Sequence, residues 1–196
     1  LLLHLGMSGT LFRSHAGTHP GKHDHFDLLL PGKEILRYRD PRRFGMAVWT
    51  SAPPLSHPLL AHLGPEPLSP VLNAAYLREV FHNRKAPVKT LLLDGRNVAG
   101  IGNIYACEAL HRAGISPVRA GGRISASRCG SLVKGIQSVL GEALEAGGTT
   151  LRDHRQVDGS PGWFSRNLAV YGRKGQECPA CGETVKKRVL AGRATF

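Results

Sequence analysis

Residues 98–105 read Val98-Ala99-Gly100-Ile101-Gly102-Asn103-Ile104-Tyr105, and this glycine-rich segment lies between two helical patterns. Its glycines allow another backbone to approach closely, and Asn103 starts the second helix. The N–H groups at the start of a helix bind phosphate without a charged side chain. The preceding segment, 89–93, is itself helical, so the strand, glycine loop and helix of a dinucleotide site are absent. The segment predicts a helix–loop–helix that contacts a phosphate backbone, with a simple connecting loop as the alternative.

Helical patterns dominate the middle of the chain. Apolar residues recur at helical spacing within 75–81, 88–93 and 103–112. A longer pattern follows Ser125, a candidate N-cap, and stops at Gly147-Gly148. Residues 149–167 carry little periodicity, and a long loop of this kind is often functional in a compact protein. We therefore expect a helical domain over 73–167 that includes a functional loop at 149–167.

Short strand patterns flank the helices. Four of them lie in residues 1–50, at 1–5, 26–30, 34–39 and 44–49. Hairpins joined by glycine and proline predict a sandwich or partial barrel. Six prolines make 51–72 a linker, and 168–196 form a small basic β element. The predicted fold class is α+β.

The composition indicates a folded, strongly basic chain. Lys and Arg number 26 and Asp and Glu number 14, so the formal net charge is +12 over 196 residues. A hydrophobic fraction of 41% excludes a disordered basic tail, and no apolar run is long enough to span a bilayer. This charge predicts a polyanionic partner, first of all a nucleic acid, although some basic proteins only carry excess lysine. The absence of a targeting signal predicts a cytoplasmic location.

The four cysteines fall into two kinds. Cys107 and Cys129 lie in helical patterns and are expected to pack as small apolar side chains. Cys178-Pro179-Ala180-Cys181-Gly182 is typical of a knuckle that directs two thiolates at one zinc ion. A redox pair is the alternative, but its usual βαβ setting is absent. Structural zinc takes four ligands, so Cys178 and Cys181 supply half of a site.

A second motif, Asp40-Pro41-Arg42-Arg43-Phe44-Gly45, predicts a turn between two strands. It presents two cations and an aromatic ring together, and an inserted apolar side chain can unstack a base step. Gly6-Met7-Ser8-Gly9 places Met7 in a similar position. The alternatives are a hairpin with a buried Phe44 and a core position for Met7.

Four histidines cluster between residues 15 and 25. Gly17, Pro20 and Gly21 break any helix that would put them on one face. The string Lys22-His23-Asp24-His25 can still ligate a metal or contact a phosphate.

These segments together resemble the formamidopyrimidine-DNA glycosylase family of bacterial base-excision repair enzymes. The resemblance runs along the whole chain in order. Its strings are HLGMSG (4–9), KHDHFD (22–27), DPRRFG (40–45), HLGPEPL (62–68), VKTLLLD (88–94), AGIGNIYA (99–106), GGTT (147–150), VYGRKG (170–175), CPACG (178–182) and RATF (193–196).

The resemblance implies an N-terminal β-sandwich domain that includes 1–50, a helix-two-turn-helix domain over 73–167, and a zinc finger of which 168–196 is part. It implies a protein that flips an oxidised purine, 8-oxoguanine or formamidopyrimidine, out of duplex DNA. The positions that correspond to DNA contacts in the family are His4, Met7, His23, Arg42, Phe44, Arg84, Asn103 and Tyr171. Among them, Met7, Arg42 and Phe44 correspond to the family residues that fill the vacated space and wedge the opposite strand. Arg193 corresponds to a phosphate contact that also donates a proton in the last elimination step.

The resemblance further implies one structural zinc, with Cys178 and Cys181 as its first two ligands, and a loop at 149–164 that closes over the flipped base. The family's nucleophile is an N-terminal proline followed by a glutamate, and Leu1 does not match it. A catalytic lysine is expected shortly before Leu1, the last zinc ligands after Phe196, and His154 stands where an aromatic residue is commoner. We therefore expect a fragment lacking both termini, inactive alone, of an enzyme that acts as a monomer near the bacterial nucleoid.

Two other classes of protein remain open at this point. One is a non-catalytic, zinc-containing module that binds DNA or RNA. The other is a metal-dependent hydrolase that uses the histidines of 15–25.

Overall fold

The computed structural model describes residues 1–149 and 162–196. Contacts divide the chain into two compact units, one formed by Leu1–Ala61 with Ala143–Arg166 and the other by His62–Glu142 with Asn167–Phe196. His154 and most of the predicted loop 149–167 lie outside the described residues. Within the described ranges, no helix is long and apolar enough to cross a membrane.

Five short strands lie in the first unit. They are β1 Leu2–His4, β2 Thr10–His15, β3 Asp24–Leu29, β4 Glu34–Arg39 and β5 Met46–Val48. One antiparallel sheet has the order β2-β4-β3, and β1 pairs separately with β5. The four predicted strand patterns are confirmed. Strand β2 has no counterpart among them, because Leu11 and Phe12 are adjacent and break the alternation that marks a half-buried strand.

A buried arginine ties the loop between β2 and β3 to the sheet. Arg37 of β4 is 3% exposed, and its guanidinium donates to both oxygens of Asp27 at 2.8 Å. It also donates to the carbonyls of Thr18 at 2.8 Å and His19 at 3.2 Å. A buried charge is tolerated when it is paired and hydrogen-bonded in this way. The loop that carries His23 is therefore anchored.

Four helices form the core of the second unit. They are α1 Ala74–Phe81, α2 Val88–Leu92, α3 Asn103–Arg112 and α4 Ala126–Glu145, and they confirm the predicted helical patterns. Each contributes to one apolar cluster, for example through Leu77, Leu92, Leu110 and Leu132. Burial of this surface is the main favourable contribution to folding of the unit.

Capping residues define the start of α1 and both ends of α4, and the two at α4 were predicted from the sequence. The side chain of Asn73 accepts the N–H of Tyr76 at 3.0 Å before α1. The hydroxyl of Ser125 accepts the N–H of Arg128 at 3.3 Å before α4. After α4, Gly148 has a φ of 94°, which disfavours any residue with a side chain.

The C-terminal residues form a small hairpin beside the helices of the second unit. Strands β6 Arg188–Leu190 and β7 Arg193–Thr195 pair in antiparallel fashion. An isolated bridge joins Glu177 to Thr184 around the Cys178–Cys181 knuckle. The mixture of sheets and helices confirms the α+β class, whereas the zinc finger stays a prediction.

Candidate nucleic-acid interface

The carboxylate of Asp40 organises the turn that follows β4. The residue is 0% exposed, and one carboxylate oxygen accepts the Gly45 N–H at 2.8 Å and the Tyr38 hydroxyl at 3.1 Å. The other oxygen accepts the Ser8 hydroxyl at 2.7 Å and the Arg42 N–H at 3.3 Å. These donors, the Gly45 N–H first, lower the pKa of Asp40 to about 2. The ionised carboxylate of Asp40 thus fixes the conformation of the turn through four hydrogen bonds.

The turn presents Arg42 and Phe44 as an exposed pair. Phe44 is 55% exposed, and the guanidinium carbon of Arg42 lies 4.6 Å from the centroid of its ring, a cation–π distance. The alternative of a buried Phe44 is therefore wrong. Gly45 makes the turn possible, because a Cβ there would overlap the Tyr38 hydroxyl and the backbone carbonyl oxygen of His4.

Met7 lies on a second turn, against the first. It is 69% exposed, so a core position for Met7 is wrong. Gly6 has a φ of 63°, and a Cβ there would lie 2.7 Å from the carbonyl carbon of Phe44. The Gly6 N–H donates to Nδ1 of His4, which is exposed, at 3.3 Å. The structure therefore places the segment from His4 to Met7 against the backbone of Phe44, with Gly6 at the point of approach.

The histidine segment contacts the backbone of the same turn. The N–H of Asp40 donates to the carbonyl of His23 at 3.0 Å, and His25 Nε2 lies 2.8 Å from the carbonyl oxygen of Asp40. Residues 1–149 and 162–196 contain no group of three or more His, Cys, Asp or Glu side chains that could hold a metal ion. The histidines of 15–25 therefore give the metal-dependent hydrolase no support.

In the second unit, Asn103 starts α3 and connects it to two other segments. Its Nδ2 donates to the Ala194 carbonyl at 3.0 Å and lies 3.4 Å from the Tyr171 hydroxyl. Gly102 is the N-cap, no side chain caps the helix, and its first turn has no acidic residue. The positive end of α3 is thus available to an anion.

The Ala194 carbonyl also accepts a hydrogen bond from a buried lysine that was not among the predicted site residues. Lys89 is 0% exposed, and its Nζ donates to the Ala194 carbonyl at 2.9 Å and to Thr195 Oγ1 at 2.7 Å. Burial lowers the pKa of Lys89. Lys89 and Asn103 thus both donate hydrogen bonds to the Ala194 carbonyl of β7. The first residue of this strand is the exposed Arg193. The signal in the sequence was a lysine among the apolar residues of a short helix.

A buried glutamate, also not predicted, positions Tyr171. Glu108 of α3 is 0% exposed and accepts the N–H groups of Ala169, Val170 and Tyr171 at 2.8, 3.0 and 2.8 Å. The Tyr171 ring lies 5.1 Å from that of Phe196, measured between centroids. The only hint in the sequence is a carboxylate on the apolar face of a helix.

Arg84 stands just after α1 and is exposed. Its backbone carbonyl accepts the Gly122 N–H at 2.9 Å, so the main chain is fixed there while the side chain reaches solvent.

The Cys178–Cys181 knuckle has backbone donors around its sulfur. The N–H of Ala180 first, then the His111 side chain and the N–H of Cys181, lower the pKa of Cys178 to about 6. The N–H of Gly182 donates to the Cys178 carbonyl at 2.9 Å, and Gly182 has a φ of 76°. By contrast, Cys107 and Cys129 are buried as predicted, and burial raises the pKa of Cys129.

Replacing Asp40 with asparagine tests the role of its charge. Because the pKa of Asp40 falls from 3.8 to about 2 on folding, the carboxylate stabilises the fold above pH 3.8. That contribution is lost as the pH falls towards 2. The difference in Tm between the chain and Asp40→Asn is expected to be constant near neutral pH and to shrink between about pH 4 and 2. A difference that stays unchanged to pH 2 would contradict this role.

Comparisons with known proteins give matches along the chain. Residues 1–47 match the family model described as "Formamidopyrimidine-DNA glycosylase N-terminal domain", and residues 63–155 match "Formamidopyrimidine-DNA glycosylase H2TH domain". A formamidopyrimidine-DNA glycosylase of Magnetococcus marinus is 49% identical over 198 residues, which cover 100% of this chain and 72% of that protein.

Two solved structures are similar over 98% of this chain and 71% of their own. The MutM (Fpg) protein of Thermus thermophilus has a TM-score of 0.85 at 43% identity. The Lactococcus lactis Fpg, in complex with DNA that contains an abasic site, has a TM-score of 0.86 at 31% identity. This identity and coverage show that the chain belongs to the formamidopyrimidine-DNA glycosylase family.

Proposed function

We propose that the chain binds damaged duplex DNA as part of a base-excision repair glycosylase. The observation that carries the proposal is the exposed pair of Arg42 and Phe44 on a turn fixed by the buried carboxylate of Asp40. With Met7 on the neighbouring turn, two exposed apolar side chains accompany the guanidinium of Arg42. Apolar side chains can occupy the space left by a flipped nucleotide, and the guanidinium can bind a base edge or a phosphate.

The second unit supplies groups for the sugar-phosphate backbone. The Tyr171 hydroxyl accepts from Asn103 and can donate its own hydrogen to a phosphate oxygen. The N–H groups at the start of α3 and the exposed Arg193 are further donors. His4, His23 and Arg84 are proposed as additional contacts on the strength of the family resemblance. The net charge of +12 and the DNA-bound Lactococcus lactis relative support this partner.

We infer that the lesion is an oxidised purine and that N-glycosylase and AP-lyase chemistry removes it. An amine attacks C1′, the N-glycosidic bond breaks, and the base leaves with the bonding electrons. Opening of the sugar ring leaves a Schiff base between the amine and C1′, and elimination then breaks the strand. Arg193 is the proposed proton donor in the last elimination. The amine itself has no counterpart among the family positions that map onto this chain, so the 196 residues alone are proposed to bind without cleaving.

Cys178 and Cys181 are proposed to bind one structural zinc. Two thiolates on a tight knuckle with N–H donors at the sulfur suit this metal, and they supply two of its four ligands. Bound zinc would cross-link the knuckle to the remaining ligands and stabilise the C-terminal element.

Neighbouring arginines give a matched test of the DNA proposal. Affinity is measured by fluorescence anisotropy for a duplex with a stable abasic-site analogue and for the undamaged duplex. Arg42→Ala is expected to weaken binding to the abasic-site duplex about tenfold more than binding to the undamaged duplex, which corresponds to about 1.4 kcal/mol. The reason is that Arg42 acts only where a nucleotide has been displaced. Arg43→Ala removes the same charge and is expected to weaken both complexes equally. Equal effects of the two substitutions on the ratio of the two affinities would contradict the assigned role of Arg42.

Trapping with borohydride tests the chemistry. The 196-residue chain and the complete product of its gene are each incubated with a duplex that contains 8-oxoguanine, and reduction converts a Schiff base into a stable adduct. The complete gene product is expected to give a protein–DNA adduct and the chain alone none. No adduct from the complete gene product would favour a non-catalytic, zinc-containing DNA- or RNA-binding module. An adduct from the chain alone would show that its own residues include the nucleophile.

A further inference from the structure

His111 takes no part in the proposed DNA contacts, yet it touches the cysteine knuckle. It lies in the last turn of α3, and its Nε2 is 3.4 Å from the sulfur of Cys178. The contact joins a helix of the core to the knuckle, which lies 67 positions further along the chain.

The surroundings of the ring indicate which nitrogen carries the hydrogen. Nδ1 of His111 is buried and has no hydrogen-bond partner in the described part of the chain. A buried N–H without an acceptor is rarer in proteins than a buried acceptor without a donor. In the neutral ring the hydrogen therefore belongs on Nε2, where it faces the sulfur.

The Cys178 sulfur lies in an apolar environment, where a hydrogen-bond donor can fix its position. Cys178 is 8% exposed and belongs to an apolar cluster with Val170 and Val185. The backbone N–H groups of Ala180 and Cys181 donate to the same sulfur from within the knuckle. His111 is a donor from outside the knuckle, so it can fix the position of the sulfur relative to α3.

We propose that His111 is a positioning residue for the zinc site: its Nε2–H donates to the Cys178 sulfur and orients that ligand without binding the metal. The inference rests on the proposed binding of zinc by Cys178 and Cys181. Groups that hydrogen-bond to a metal ligand typically change metal affinity roughly 10- to 100-fold when they are lost. Because α3 begins at Asn103, a proposed phosphate contact, zinc binding beside the last turn of the helix would also stabilise the position of that residue.

Zinc affinity of the complete gene product, measured by competition with a chromophoric chelator, tests the proposal. His111→Phe keeps a ring at the same position but removes the donor, and it is expected to weaken zinc binding about tenfold. His111→Gln retains an N–H donor at similar reach and is expected to stay within about threefold of the parent. His82→Phe, at an exposed histidine after α1, is the control and is expected to have no effect.

Cys178→Ser separates failure of this inference from failure of the proposed zinc site. If the parent binds no zinc, or Cys178→Ser binds as well as the parent, the zinc site itself is wrong. If Cys178→Ser loses zinc while His111→Phe binds as the parent does, only the role of His111 is wrong. An NMR spectrum of the ring nitrogens of His111 in the zinc-loaded parent reports which nitrogen carries the hydrogen, and it needs no variant. A hydrogen on Nε2 is expected, and one on Nδ1 would overturn the proposal.

Discussion

The buried carboxylate of Asp40 is the constraint on which the candidate interface of the first unit depends. It accepts hydrogen bonds from two backbone N–H groups of its own turn, from Tyr38 of β4 and from Ser8 of the Met7 turn. Only an ionised carboxylate offers enough acceptors for four donors, and the low pKa of Asp40 keeps it ionised. The apolar side chains of Phe44 and Met7 can remain exposed because their backbones are held by this group rather than by burial of their own surface.

The second unit uses buried charges in the same way. Glu108 accepts hydrogen bonds from the three consecutive N–H groups of Ala169 to Tyr171. Lys89 donates to the Ala194 carbonyl, next to Arg193. Burying a charge costs free energy unless hydrogen bonds satisfy it, so each of these groups specifies one arrangement of the loop or strand it binds. The residues proposed to contact DNA are thus positioned by partners that do not contact it.

The sequence predicted the helices well, because the α3 pattern over 103–112 and the caps at Ser125 and Gly148 are local signals. It predicted the Arg42–Phe44 turn from its residue types, but could not decide whether Phe44 is buried, which depends on long-range packing. Strand β2 lacked alternation and was missed. Lys89 and Glu108 were missed because a charged residue in a helical pattern is normally assigned to the solvent face, and their partners are 61 to 106 positions away. The role of His111 likewise required the fold, since Cys178 follows it by 67 positions.

The proposed insertion of the turn after β4, which Asp40 holds in place, into damaged DNA would connect these observations with membership of the formamidopyrimidine-DNA glycosylase family. The most direct measurement is the fluorescence of 2-aminopurine placed opposite a stable abasic-site analogue, recorded at saturating concentrations of the chain. Fluorescence of this base rises when it loses its stacking partners. The account predicts a rise with the parent chain and little or none with Phe44→Ala. Binding of the parent without a rise, or an equal rise with Phe44→Ala, would contradict it.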